Sequence, residues 1–327
     1  MHFFLRKKID GKASSISDIA EHYRIKGNTL YKQYKEHISD FESYKKTHAK
    51  SFKHQSFVFP ENFGNRMGID ETGLFNGELY TVLVNKDRRG KKGSLAAIIK
   101  GTASQAVVPA ISNAVTIERL MNINEITLDM ANSMDWIVRQ IAPNATKTYD
   151  RFHVEKLVYE ALQDIRVRYR WQAMEQEAET KRISILPNGD TQKQLLARSR
   201  YLLFKQSIFW TPEQSKRAGI LFREYPEIRK AYYLTMDFKR AFSLPYNEAK
   251  KHIEQWCEDV TKSSLKEFST VAKTIKNHIQ GIINFLLNKE TNASVENFNA
   301  KIKDFFHRLR GVNDTDLFFY RLFMLYA

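Results

Sequence analysis

The chain has 327 residues, 43% of them hydrophobic and 22 of them Phe, which is enough for a sizeable core and, by length, for two or three structural units. Lys and Arg outnumber Asp and Glu by 52 to 37, a net charge of +15 that fits a polyanionic partner, nucleic acid ahead of an anionic membrane surface. The single cysteine, Cys257, excludes an internal disulfide or a Cys-rich zinc site and suits a reducing compartment, and no apolar run approaches the roughly 20 residues of a membrane span.

Residues 1–45 carry helical spacing. Ser15 followed by Asp18 resembles a capping box, and Ile16, Ile19, Ala20 and Tyr23 recur on one face behind it. Gly27 and Asn28 interrupt the pattern. It resumes from Thr29 to Phe41 through Leu30, Tyr34, Ile38 and Phe41. Two short helices across a tight turn predict a helix-turn-helix unit whose second helix offers Asn28, Thr29, Tyr31, Lys32 and Lys35 to a major groove, although Arg24 stands where such turns often place Gly. A plain helical hairpin would show the same pattern. Residues 46–66 mix basic, aromatic and turn residues without a period, and a linker is expected there.

The character changes over residues 67–155. MGIDETGLF, GELYTVLVN and SLAAIIKG predict three short strands, with the charged turn NKDRRGKKG between the last two. A helix is expected from Gln105 to Leu120, a strand at EITLDM, a short helix from Met134 to Ile141 and a fifth strand at ATKTYD. A meander followed by strand–helix alternation gives an α/β fold: a mixed sheet with helices on its faces. Residues 156–290 are helix-patterned, rich in Lys, Glu, Arg and Tyr and punctuated by Pro187, Pro212, Pro226 and Pro245, so a mostly α-helical insertion is expected. Residues 291–327 start at an Asn292 or Ser294 cap, continue as a helix through Arg310 and end in LFFYRLFMLYA, which is expected to pack as core. Asn144, Asn292 and Asn313 open Asn-x-Ser/Thr triplets, expected as chance matches in a cytoplasmic protein.

Three distant acids carry the chemistry. Asp70 and Asp129 each end a short apolar run, Asp70 expected to end strand one and Asp129 strand four, and Glu296 lies on a basic, helix-patterned segment. Central strands of a mixed sheet can present two carboxylates side by side, and a later helix can lay a third across them. Such oxygen ligands suit two Mg²⁺ or Mn²⁺ ions, which clamp the attacking and leaving oxygens of a phosphodiester. Each acid alone is equally well a turn, a helix cap or a solvated side chain. Asp150 and His153 stand one helical turn apart after the fifth strand; Asp150 could fix the His153 tautomer, His153 could contact a phosphate, and Asp150 rivals Asp129 as the second metal ligand. Arg88, Arg89, Lys91 and Lys92 in the charged turn, and Asn299, Lys301, Lys303, Arg308 and Arg310 beyond Glu296, are candidate phosphate contacts. Arg166, Arg168 and Arg170 fit a solvated face as well as DNA, and Trp171, Trp210 and Trp256 fit core as well as base stacking.

MGIDET, TLDMANSM, PNATKTYDRFHVEKL and ASVENFNAKIKDFFHRLRG together resemble the DDE transposases of bacterial insertion sequences, closest to the ISL-three family and its shorter ISAon-like branch, from about residue 66 to the carboxyl terminus. The resemblance implies a retroviral-integrase-like (RNase H-like) core interrupted by a helical insertion before the final Glu. It implies metal-dependent DNA cleavage at element ends and 3′-hydroxyl attack on target DNA. It carries over Asp70, Asp129 and Glu296 as the catalytic, metal-binding triad and Asp150 with His153 as an accessory acid-x-x-His motif. Double-stranded DNA of the element's terminal repeats and of the target is the implied partner, with the protein a homo-oligomer on that DNA and associated with the bacterial nucleoid. Longer relatives carry a Cys-rich amino-terminal module; here the helix-turn-helix must read the ends, or a separate Cys-rich polypeptide does. The competing expectations are a catalytically inactive DNA-binding descendant and an RNase H-like nuclease that cuts without joining strands.

Overall fold

The structure, a computed structural model, describes residues 2–180, 183–288, 293–309 and 314–327. Asn292, Arg310 and Asn313, named above as helix cap, phosphate contact and sequon, lie outside the described residues. The chain divides into two compact units, residues 1–150 with 290–327, and residues 151–289.

The first unit is built on six strands: β1 (Ser56–Val58), β2 (Arg66–Leu74), β3 (Glu78–Asn85), β4 (Leu95–Lys100), β5 (Glu125–Leu128) and β6 (Thr146–Tyr149). Their spatial order is β1-β4-β3-β2-β5-β6. β1 through β4 pair antiparallel, whereas β2, β5 and β6 run parallel. The parallel half needs crossovers, and the helices Ser104–Ala114 and Asn132–Ile141 supply them, packing on each other and on β4 and β5. The helix expected from Gln105 to Leu120 is two helices, because Val115 turns extended before Ile117–Met121.

Strand alternation fixes what each face carries. Asp70 pairs with Val82 and Thr72 with Tyr80, so these side chains share one face. That face is covered by helices Ala293–Arg308 and Thr315–Tyr326: Val295, Phe298, Ile302, Phe305, Phe318, Phe319, Leu322 and Phe323 join Tyr80, Val82, Val84 and Ile98 in one buried cluster. The aromatic carboxyl terminus is thus core, as its composition predicts. Ser294 is already inside its helix instead of capping it.

Residues 46–66 correct the linker expectation. Helices Phe41–Thr47 and Ala49–His54 and strand β1 occupy much of this stretch. Phe52 and Phe57, two of the aromatics that obscured any period, are buried in the cluster under the sheet.

Helices Ile16–His22 and Gly27–Gln33 form where helical spacing places them. Ser15 caps the first, accepting a hydrogen bond from the Asp18 amide at 3.0 Å. Arg24, at φ 54°, takes the left-handed turn position that favours glycine. Gly27 opens the second helix instead of breaking it; a Cβ there would meet the Ser17 hydroxyl at 3.0 Å, so its bareness lets the helices approach. The second helix loosens into a π-turn over Tyr34–Ile38 and stops, short of the expected run to Phe41. This region is not self-contained. Ile16, Ile19, Ala20, Leu30, Tyr34 and Ile38 pack with Leu5 and Ile9 of helix His2–Asp10 and with Leu317 and Tyr320 of the carboxyl-terminal helix.

The second unit is helical: Arg151–Thr180, Gln192–Arg198, Pro212–Glu224, Pro226–Ala241, Tyr246–Ser263 and Lys266–Asn288. Its prolines act as start signals, with Pro212 and Pro226 at first helical positions and Pro245 as a cap. Thr191 with Gln194, and Thr211 with Gln214, close full capping boxes. Trp256, Phe238 and Phe268 fill its centre. No described helix is long and apolar enough to cross a membrane.

Candidate metal centre

The parallel strands bring three carboxylates to one end of the sheet. β2 and β5 pair in register as far as Gly68 and Thr127, and β5 and β6 as far as Leu128 and Tyr149. Asp129 and Asp150 are the first residues beyond β5 and β6. The Asp150 amide donates to Leu128 O at 3.1 Å, extending the ladder by one step. Asp70 does not end its strand, as the sequence suggests. It is mid-strand, because the antiparallel partner β3 keeps pairing up to Leu74–Glu78 after parallel pairing with β5 has stopped. The stop leaves Asp70 on β2 in line with Asp129 beyond β5.

The helix Ala293–Arg308 brings the fourth acid. Glu296 is exposed in its first turn, where the positive end of the helix dipole favours a carboxylate. One ligand oxygen of Glu296 and one of Asp150 lie within 4.8 Å of each other. Asp150 is 3% exposed. One turn beyond Glu296, Asn299 points at the sheet and its Nδ2 donates to Asp70 Oδ2 at 2.9 Å. The other oxygen, Asp70 Oδ1, accepts from the Glu71 amide at 2.8 Å. Asp129 Oδ1 accepts from the Ala131 amide at 2.9 Å, a local turn that stops β5 before the helix Asn132–Ile141. His153 is half-buried in the first turn of helix Arg151–Thr180, three residues past Asp150.

Carboxylates this close repel, and the field reaches their neighbour Glu71: burial pushes its carboxyl above the ordinary range, and the charges of Asp129 and then Asp70 add to the rise. Sequence reading passed over Glu71, although IDET announces a second acid beside the first. All these donors are hard oxygens, and a divalent cation would relieve their repulsion, so the residues fit Mg²⁺ or Mn²⁺.

The candidate DNA contacts separate into several kinds. Arg88, Arg89, Lys91 and Lys92 are exposed in the β3–β4 turn. That turn leaves β3 beside Met67, three residues before Asp70 and at the end of the sheet where β5 begins. Lys301 bridges to it, its Nζ donating to Gly90 O at 3.0 Å. Lys303 is exposed, and Arg308 pairs with Asp304 at 2.8 Å. Asn299 is 5% exposed, on the sheet-facing side of its helix, with its amide on Asp70. Asn28, Thr29 and Lys32 are exposed, whereas Lys35 Nζ donates to Asp314 at 2.6 Å and Tyr31 Oη to the same oxygen at 3.4 Å. In the second unit, Arg166 is buried against Gln163 and Leu196 O, Arg168 holds Glu227 and Glu267, and Arg170 is exposed. Trp256 is core and Trp210 Nε1 donates to Leu202 O, but Trp171 is 59% exposed.

Comparison with known proteins identifies the family. Residues 67–322 match the DDE_Tnp_ISL3 family, described as Transposase. The chain is similar to the transposase for insertion sequence element IS1557 of Mycobacterium tuberculosis, 26% identical over 256 residues, 74% of this chain and 56% of that one. It is also similar to the transposase for insertion sequence element IS1001 of Bordetella parapertussis, 23% identical over 258 residues, 78% of this chain and 59% of that one. The chain therefore spans somewhat over half the length of these curated relatives.

Proposed function

Because the chain belongs to the DDE transposase family of ISL3 type, we propose that it is an insertion-sequence transposase, cutting DNA at the ends of its element and joining the freed 3′-hydroxyl to target DNA. The mixed six-stranded sheet with helices on its faces is compatible with an RNase H-like core of that family. One observation carries the reading: the register of β2, β5 and β6, which sets Asp70, Asp129 and Asp150 at neighbouring positions, with the helix Ala293–Arg308 adding Glu296.

In this reading Asp70, Asp129 and Glu296 hold two Mg²⁺ or Mn²⁺ ions. Asp150 shares the Glu296 side, and His153 contacts a neighbouring phosphate. The ions, when bound, supply Lewis-acid stabilisation of the attacking and leaving oxygens. The protein's own part is to fix the carboxylates before they are filled: strand register sets their spacing, and main-chain amides hold Asp70 and Asp129 in place. Phosphates of terminal-repeat and target DNA are gripped by Arg88, Arg89, Lys91, Lys92, Lys301 and Lys303. The exposed Asn28, Thr29 and Lys32 read DNA at the amino-terminal helices, and the protein acts as a homo-oligomer on the paired ends.

The test is Mg²⁺-dependent nicking and strand transfer on terminal-repeat DNA, alongside Mn²⁺ binding to the protein alone. Asp70→Ala should abolish both reactions and weaken Mn²⁺ binding while DNA affinity is kept. Separate Asp129→Ala and Asp150→Ala variants assign the second ligand, whichever loses Mn²⁺ being that ligand. Equal cleavage by Asp70→Ala removes the site from the chemistry. Cleavage without joining makes the protein a nuclease, and DNA binding without cleavage by the unaltered protein makes it an inactive descendant.

A further inference from the structure

We propose that Asn299 is a positioning residue that sets the carboxylate plane of Asp70 for its metal ion, and that it does so at a cost to the stability of the fold. The inference rests on the metal-site reading above and deepens it.

A carboxylate in mid-strand can turn about both of its side-chain bonds. Here each of its oxygens is held. Oδ1 accepts from the Glu71 amide at 2.8 Å and Oδ2 from Asn299 Nδ2 at 2.9 Å. A carboxylate oxygen has more than one lone pair, so both remain able to bind a cation, now in a fixed orientation. The Asn299 amide cannot be turned over, since its Oδ1 would then face a carboxylate oxygen. Its second N–H lies towards Glu71 O at 3.4 Å, so one side chain is oriented by two points on β2.

The other half of the amide shows the cost. Asn299 is 5% exposed and its Oδ1, facing away from Asp70, is buried with no hydrogen-bond partner among the described residues. A buried acceptor left unpaired opposes folding. The same helix face is otherwise apolar, with Val295, Phe298 and Ile302 fully buried. A leucine at position 299 would suit that packing better than an amide does. An amide retained in apolar surroundings, with one end idle and the other on Asp70, has its reason at Asp70.

The measurement is Mn²⁺ binding to the full chain without DNA, with melting temperature in EDTA recorded beside it. Asn299→Leu should melt at the same temperature as the unaltered protein or higher, yet bind Mn²⁺ about 10- to 100-fold more weakly, the range for losing an outer partner of a metal ligand. Asn299→Gln, which keeps the donor, should recover part of that affinity. In cleavage assays Asn299→Leu should need more Mg²⁺ for half-maximal rate with DNA affinity unchanged, which a phosphate contact would not give. Unchanged Mn²⁺ affinity in Asn299→Leu overturns the inference; if Asp70→Ala binds Mn²⁺ normally too, the metal reading itself has failed. A lower melting temperature in EDTA for both Asn299→Leu and Asn299→Ala overturns the stability cost and makes the amide a structural group.

Discussion

Asp314 shows how one side chain can redirect others. It caps helix Thr315–Tyr326, accepting from the Leu317 amide at 3.0 Å, and holds Lys35 and Tyr31 on its second oxygen. Burial alone would raise its carboxyl. The Lys35 bond and the Leu317 amide outweigh burial and keep it below the ordinary range. Lys35 is raised, chiefly by the same bond. The stabilisation from Asp314 is therefore present above the ordinary carboxyl range and lost as pH falls through its lowered value; that from Lys35 is present below the ordinary ammonium range and lost as pH rises through its raised one. Asp314→Asn, which keeps a cap acceptor, should cost about 0.5–1 kcal/mol in urea denaturation at pH 7 and progressively less as pH falls below the ordinary carboxyl range, whereas Asp314→Ala should cost about 1 kcal/mol more throughout. Helical spacing offers Tyr31 and Lys35 to a groove, but no local signal places an acid nearly three hundred residues later beside them. Asn299 is a second such case: its i+3 spacing from Glu296 was visible, and its direction depended on which helix face met the sheet.

Among elements, the short helix Asn132–Ile141 governs where Asp150 stands. Asp135, 5% exposed, accepts from Tyr149 Oη at 2.8 Å and Lys147 Nζ at 2.7 Å on β6, and pairs with Arg139 at 2.6 Å. The helix is thereby tied to the strand that delivers Asp150 one residue later. Removing Asp135 takes an acceptor from the buried Tyr149 hydroxyl and from the part-exposed Lys147, so Asp135→Ala should destabilise the protein by about 1–2 kcal/mol and weaken Mn²⁺ binding as β6 shifts; unchanged binding in the folded variant would detach this helix from the site. The five strands read from sequence all form close to their predicted limits because alternation and turn residues are local. β1 was missed, since three residues among basic and aromatic neighbours give too little alternation to detect.

For the whole molecule, the charge of +15 suits a polyanionic partner, and the proposed DNA binding carries a salt signature. Phosphate contacts release counterions, so affinity should fall steeply with salt. Replacing Arg88, Arg89, Lys91 and Lys92 together by Ala should flatten the slope of log affinity against log salt by about 3 to 4, close to one unit per lost contact. An unchanged slope would take the β3–β4 turn off the DNA path, a sharp test because the turn leaves the sheet at the end where β5 begins and Asp129 follows where β5 stops.

The residues alone determined a basic chain with a mixed α/β sheet, a helix-rich stretch after Asp150, three spaced carboxylates and a resemblance that the family comparison bears out. Periodicity, caps and turns report such features because each depends on neighbours a few positions away. Only the tertiary structure decided that Asp70 stands mid-strand, that Asp150 approaches Glu296, that Asn299 faces Asp70 and that Lys35 is tied to Asp314. Those outcomes depend on strand register and on which helix face is buried, both set by partners distant in the chain.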